Sequence, residues 1–139
     1  SGEQVEANKD VDGFINRLSG YLFYLLININ KTVGPTDMVN VNARKAMSYA
    51  IDREAIATVL NDGSVAAEGI IPFNLANNPE TGVDFRVDNG PVVEYNEAKA
   101  KEYYDLAVAE LGHDITINLI YSTDQGILKS RLLNRFSTS

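Results

Sequence analysis

The sequence predicts an α/β fold with parallel strands, in the order strand, helix, helix, long loop, helix, strand, helix. Apolar runs typical of strands cover residues 20–29 and 115–121, and apolar residues at helical spacing occupy 42–60 and 96–111. Because helices separate the two strands along the chain, we expect them to pair in parallel through a right-handed crossover. A stable sheet needs about three strands or more. We therefore expect the 139 residues to form a single partial domain.

The first predicted strand follows Gly20 and reads YLFYLLINI. Its aromatic and β-branched residues are apolar on both alternating faces, which is typical of a strand buried on both sides in a parallel sheet. A buried helix would also account for the run. The polar and turn-forming residues that follow it, Asn28, Asn30, Gly34 and Pro35, favour the strand.

Residues 42–60 predict either two short helices with a bend or one bent helix. Asn42 is a candidate N-cap, and the apolar face comprises Ala43, Met47, Ala50 and Ile51, with Ala46 beside them. Asp52 interrupts this pattern as a second candidate cap, before an apolar stripe that Asn61, Asp62 and Gly63 terminate.

The next part of the chain, residues 64–95, contains three prolines, and its apolar residues follow neither a helical nor an alternating pattern. We therefore predict a long irregular loop. Asn96 then caps the clearest helix, and Gly112 is its expected left-handed stop. Its predicted buried face comprises Ala100, Tyr103/Tyr104, Ala107 and Leu111. Alternation over 115–121 predicts the second strand, and residues 125–136 are a possible last helix.

Composition excludes several classes of function. The net charge of −7 argues against nucleic-acid binding, and no apolar run approaches the roughly 20 residues of a membrane helix. With no cysteine and a single histidine, disulfides, thiol catalysis and multi-histidine zinc sites are excluded. Charge is uneven, since residues 63–126 hold 3 basic and 11 acidic side chains. Residues 127–139, which hold 3 basic and none acidic, form an atypical tail.

A calcium loop is the sharpest local motif. Asn8, Asp10 and Asp12 occupy the first three ligand positions of an EF-hand-like loop, followed by Gly13 at position six. The twelfth position, which should hold an acid, is Ser19, and no amphipathic helix precedes the loop. We therefore predict a polar turn without a metal, and a small calcium-dependent interaction module based on residues 8–19 is the alternative.

An enzyme is not expected. The one histidine, His113, follows a helix-stopping glycine, and no Gly-x-Ser-x-Gly nucleophile motif occurs. We interpret it as a surface residue at a helix C-terminus rather than as part of a hydrolase.

A resemblance to a known family rests on the run VNARKAMSYAIDREAI at residues 41–56. This run closely resembles the NVxxRKAxSYAIDRexI stretch of the extracellular solute-binding proteins of oligopeptide ABC transporters. Further segments resemble the Gram-positive branch of that family in the same order: Ile27-Asn28, AEGIIP at 67–72, DFR at 84–86, YN at 95–96 with KA at 99–100, ELG at 110–112 and INLIYST at 117–123. The resemblance covers residues 4–126, and the joint match is specific where each piece alone would be weak.

The resemblance implies part of the C-terminal lobe of a two-lobed protein with a type II periplasmic-binding-protein-like fold. Such a protein captures oligopeptides outside the cell and delivers them to ABC permease subunits. The resemblance implies a monomer without catalysis or cofactor, held on the outer face of the bacterial membrane only by a lipid anchor on the full-length protein. Side-chain charges that contact ligand in some relatives do not transfer, because the first strand here carries Leu25, Leu26 and Ile27.

Ligand-facing residues are expected where the strands end, since ligands of open α/β sheets bind outside the carboxyl ends of the strands. The second strand ends in Tyr121, Ser122, Thr123 and Gln125, which offer an aromatic face and groups that pair with a peptide main chain. Asn28 and Asn30 end the first strand on the same side if the strands are parallel. Alternatively, residues 122–125 simply cap the helix that follows.

Overall fold

The computed structural model describes residues 2–15, 17–30 and 35–120. Within these residues the chain forms five α-helices: α1 (Gly2–Asn8), α2 (Val41–Ala50), α3 (Arg53–Leu60), α4 (Phe85–Asn89) and α5 (Glu97–Leu111). A 3-10 turn, Asp37–Val39, precedes α2. None of the helices in the described part of the chain is long and apolar enough to cross a membrane.

The helices at 42–60 and 96–111 are confirmed, as two separate helices in the first case. The cap of α2 is corrected. Asn40 rather than Asn42 is the N-cap, and its side-chain oxygen accepts hydrogen bonds from the backbone N–H groups of Asn42 (2.8 Å) and Ala43 (3.0 Å). Asn96 caps α5 as predicted, and Gly112 ends it in the left-handed region with a φ of 78°.

The described residues divide into two compact units. One contains residues 2–22 and 53–92, and the other contains residues 23–52 and 93–120. In the second unit, α5 packs along α2 around a small core of Met38, Ala43 and Ala107. Of the predicted apolar faces, Ala43, Ala46 and Ala107 are buried, whereas Ala50 and Tyr104 are exposed.

The first unit holds residues 64–92 of the stretch predicted to be an irregular loop, and this part contains a helix, α4, that was not predicted. Asp84 caps α4 by accepting the Arg86 N–H at 2.8 Å, and an isolated antiparallel bridge joins Asn77 to Asp84. Arg86 is only 4% exposed, and its Nη1 donates to the carbonyl oxygens of Glu68 (3.4 Å) and Gly90 (3.1 Å). This stretch is therefore organised around a buried guanidinium group rather than an apolar core.

The strand pattern is not confirmed. Residues 21–30 and 114–120 belong to no β-ladder among the described residues, although each includes an isoleucine packed on the core of the second unit. The residue Tyr121, the predicted helix at 125–136 and the tail at 127–139 lie outside the described residues.

Candidate functional site

The α2–α5 pair is a close-packed scaffold. Ala43 and Ala107 are 1% and 0% exposed, so two methyl side chains occupy the contact between the helices. Small residues let helix backbones approach closely, and the larger Met38 and Met47 fill the space beside them. The scaffold also supports residues 21–30, which include Asn28 and Asn30, and residues 114–120, which lead to Tyr121.

A carboxylate clamp, formed by Glu110, Asn40 and Asn42, fixes the register of the two helices. Asn40 Nδ2 donates to Glu110 Oε2 at 2.7 Å, and Asn42 Nδ2 donates to Glu110 Oε1 at 2.9 Å. These bonds join the start of α2 to the end of α5. Asn42 and Glu110 lie in the family-like segments and Asn40 directly precedes the first of them, but no local pattern indicates that these residues meet.

An aromatic column lies along the same helix pair, formed by Tyr49, Tyr103, Lys45 and Lys99. The Tyr49 and Tyr103 rings stack with centroids 5.6 Å apart and planes 3° from parallel. Lys45 Nζ lies 4.7 Å from the Tyr103 centroid, and Lys99 Nζ lies 5.2 Å from the Tyr49 centroid. A hydrogen bond and the charge of Glu94 raise the pKa of Lys99, so this cation stays charged beside the ring.

A buried carboxylate connects the 3-10 turn to the second extended segment. Asp37 is 6% exposed, and its Oδ2 accepts the N–H of Thr116 at 2.8 Å. His113 Nε2 lies 3.7 Å from Asp37 Oδ1, while the His113 side chain remains 57% exposed. His113 is thus a surface residue, as the sequence predicted, and it also contacts the residue that positions Thr116.

Both extended segments rest on the same core. Ile27 from residues 21–30 and Ile115 from residues 114–120 pack against the cluster of Met38, Ala43 and Ala107. The remaining side chains of the first segment are mostly exposed, with Phe23 and Leu26 each at 87%. The two segments that lead to the predicted site therefore share one anchoring point on the scaffold.

Of the predicted ligand-facing residues, the structure describes only Asn28 and Asn30. Both are exposed, and Asn28 Oδ1 accepts the backbone N–H of Asn30 at 2.8 Å, which makes a local turn at the end of the first segment. Tyr121, Ser122, Thr123 and Gln125 lie outside the described residues. Sequence reasoning did not find Asp37, whose partner Thr116 is 79 positions away and thus beyond any local motif.

The candidate metal loop is a turn after a short helix. The sequence predicts no amphipathic helix before this loop; the structure has a helix of seven residues there, α1, which ends at Asn8 and is shorter than an EF-hand helix. The Asn8 side chain donates to the Gln4 carbonyl at 2.7 Å, so its amide takes part in local structure. Nowhere in residues 2–15, 17–30 and 35–120 do three or more acidic, histidine or cysteine side chains converge as a metal site.

Comparison with solved structures finds peptide-binding proteins. Listeria monocytogenes OppA bound to peptide matches with a TM-score of 0.71 and 25% identity, over 82% of this chain and 23% of that chain. A peptide-binding protein of a peptide ABC transporter matches with a TM-score of 0.53 and 41% identity, over 63% of this chain and 38% of that chain. This chain thus spans less than half the length of either protein.

A periplasmic-binding-protein-like fold follows from these matches. No curated protein sequence matches the chain. The family model described as "Bacterial extracellular solute-binding proteins, family 5 Middle" matches residues 1–133. Because this match takes in nearly the whole sequence, the chain belongs to the family 5 bacterial extracellular solute-binding proteins.

Proposed function

We propose that the chain is part of the peptide-capturing component of an oligopeptide ABC importer. The observation that carries this proposal is the family match over residues 1–133, supported by similarity to two proteins whose names describe peptide binding. In this function the protein closes two lobes around an extended peptide and passes it to permease subunits, with neither catalysis nor a cofactor. It works outside the cell as a monomer, held to a Gram-positive membrane by a lipid anchor on the full-length protein.

The extended segments are proposed to be neighbouring parallel strands of the sheet in the full lobe. Ile27 and Ile115 support this arrangement because both pack on the same core cluster. From these anchors, Asn30 lies three residues onward and Tyr121 lies six residues onward. At roughly 3.3 Å per residue, the two ends would be staggered by about 10 Å, the length of three residues of an extended peptide.

The proposed ligand-facing surface comprises Asn28 and Asn30 with Tyr121, Ser122, Thr123 and Gln125. Amide and hydroxyl groups pair with a peptide main chain whatever its side chains, so they provide affinity without strong sequence preference. Two carboxylates of the scaffold already have partners, since Glu110 accepts from two asparagines and Asp37 accepts from Thr116. Recognition by neutral groups is therefore favoured on this side of the cleft.

Chemical-shift mapping of the 139-residue chain with a mixture of short peptides at millimolar concentration tests the placement. We expect weak shifts at residues 28–30 and 121–125, and weaker shifts in Thr123→Val. Thr58→Val, which removes a hydroxyl from α3, is the matched control and should change nothing.

Shifts confined to residues 96–111 would contradict the placement. Micromolar affinity of this chain alone would contradict the proposal that a second lobe supplies half of the cleft.

A further inference from the structure

Three dipeptides in the chain place glycine after aspartate or asparagine, the arrangement that hinders spontaneous backbone rearrangement least: Asp12-Gly13, Asp62-Gly63 and Asn89-Gly90. In this reaction the glycine nitrogen attacks Cγ of the preceding residue, and the new N–Cγ bond forms as water leaves from aspartate or ammonia from asparagine. Water then opens the cyclic imide at either carbonyl, which gives an α- or a β-aspartyl linkage. All three glycines have a positive φ, between 62° and 88°, so this torsion alone does not distinguish the sites.

Asn89-Gly90 is held by three hydrogen bonds. The Gly90 N–H donates to the Arg86 carbonyl at 2.9 Å, and Asn89 Nδ2 donates to the Phe85 carbonyl at 2.9 Å. The Gly90 carbonyl accepts from the buried Arg86 at 3.1 Å. The nitrogen that would attack and the group that would leave are both engaged by α4, so reaction requires local opening of this helix.

Asp62-Gly63 is protected through its carboxylate. Asp62 Oδ1 accepts the backbone N–H of Ser64 at 2.9 Å, and the Asp62 side chain is half-buried. Side-chain and backbone hydrogen bonds from Ser64 lower the pKa of Asp62. The cyclisation needs the neutral acid, because an ionised carboxylate is a poor electrophile, so the reactive fraction at neutral pH is reduced further.

Asp12-Gly13 has neither form of protection among the described residues. Asp12 and its neighbours at 11–15 are exposed, and the turn is closed by bonds that bypass both reacting groups: Val11 N–H to Asn8 O at 3.1 Å and Phe14 N–H to Val11 O at 3.0 Å. No described residue donates to the Asp12 carboxylate, and the Gly13 N–H has no described acceptor. A Cβ at Gly13 would meet nothing within 4 Å, and the same holds at Gly90, so it is the hydrogen bonds that distinguish these two sites.

We propose that Asp12-Gly13 is the site at which the folded chain converts an α-aspartyl to a β-aspartyl linkage. The conversion changes neither mass nor charge, but it adds a carbon atom to the backbone directly after α1.

The experiment compares each site in the folded chain with the same site in a short synthetic peptide, at neutral pH and 37 °C. Peptides covering 8–16, 58–66 and 85–93 supply the intrinsic rates, and chromatography with electron-transfer fragmentation distinguishes the two linkages. At Asp12 the folded chain should react as fast as its peptide. At Asp62 and Asn89 it should react about tenfold more slowly, the factor expected when one or two hydrogen bonds must first break.

If folding slows the reaction at Asp12, relative to its peptide, as much as it does at Asp62 or Asn89, the proposal is overturned. Asp12→Glu, whose longer side chain disfavours the five-membered ring, provides a second test on an exposed position that leaves the fold intact. It should abolish the β-aspartyl product in residues 8–16, and persistence of that product would assign the reaction to another aspartate or asparagine of this segment and overturn the proposal.

Discussion

Ala107→Leu tests the close contact between α2 and α5. Ala107 is 0% exposed and faces Ala43, which is 1% exposed, so the three added carbons have no space unless the helices move apart. Overpacking of this kind costs about 1–3 kcal/mol. Alanine and leucine have similar helix propensities, so the loss would come from packing rather than from the helix itself.

Ala109→Leu is the matched control, because Ala109 lies two residues further along the same helix and is exposed. We expect this variant to stay within about 0.5 kcal/mol of the parent chain. Urea denaturation followed by far-UV circular dichroism measures both variants, with the midpoint reporting stability and the slope reporting any change in exposed surface. Equal midpoints for the two variants would show that the helices do not meet at Ala107.

Three further changes test other contacts. Met47→Asp should destabilise the chain by about 2–4 kcal/mol, because Met47 packs against the core. Lys45→Asp should destabilise it by only about 0.5–1 kcal/mol, through loss of the cation over the Tyr103 ring. Thermal denaturation measures both variants, and equal losses of stability would disprove the assigned helix face. Gly69→Ala should lower the free energy of unfolding by about 1–3 kcal/mol, since a Cβ there would lie 2.4 Å from Arg86 Nη1. Gly20→Ala is the control, because a Cβ at Gly20 would lie 3.3 Å from its nearest neighbour, Leu75 Cδ1. Chemical denaturation measures both variants. Asn40→Ala should cost about 1 kcal/mol or more by removing the cap of α2 and one bond to Glu110, and an unchanged unfolding midpoint would show that neither bond contributes.

The parts of the fold that the sequence predicted are those with local causes. The start and end of α5 depend on Asn96 and Gly112, whose capping bonds reach only three and four residues along the chain. The cap of α2 was misplaced by two positions because Asn40 and Asn42 are both suitable residues at the start of one apolar pattern. Helix α4 was missed because five residues are too few to display a period.

The features that the sequence did not predict depend on distant partners. Arg86 lies in a stretch rich in glycine and proline, and its burial follows from carbonyl groups of Glu68 and Gly90 that no spacing rule identifies. A strand becomes part of a sheet only when a neighbour pairs with it, so the pattern at residues 20–29 indicates a preference and not a ladder. The candidate site shows the same contrast between local and distant partners. Asn28 and Asn30 are positioned by a turn of adjacent residues, whereas Thr116 is positioned by Asp37, which is distant in sequence.

The stacked rings of Tyr49 and Tyr103 make the second unit optically distinctive. The chain has seven tyrosines and no tryptophan, so no indole absorption or emission masks the signal of the phenols. Two parallel rings 5.6 Å apart couple their electronic transitions, and this coupling contributes to the near-ultraviolet circular dichroism only while α2 and α5 remain docked. The protein therefore carries a built-in spectroscopic reporter of contact between these helices, which can be followed without any label.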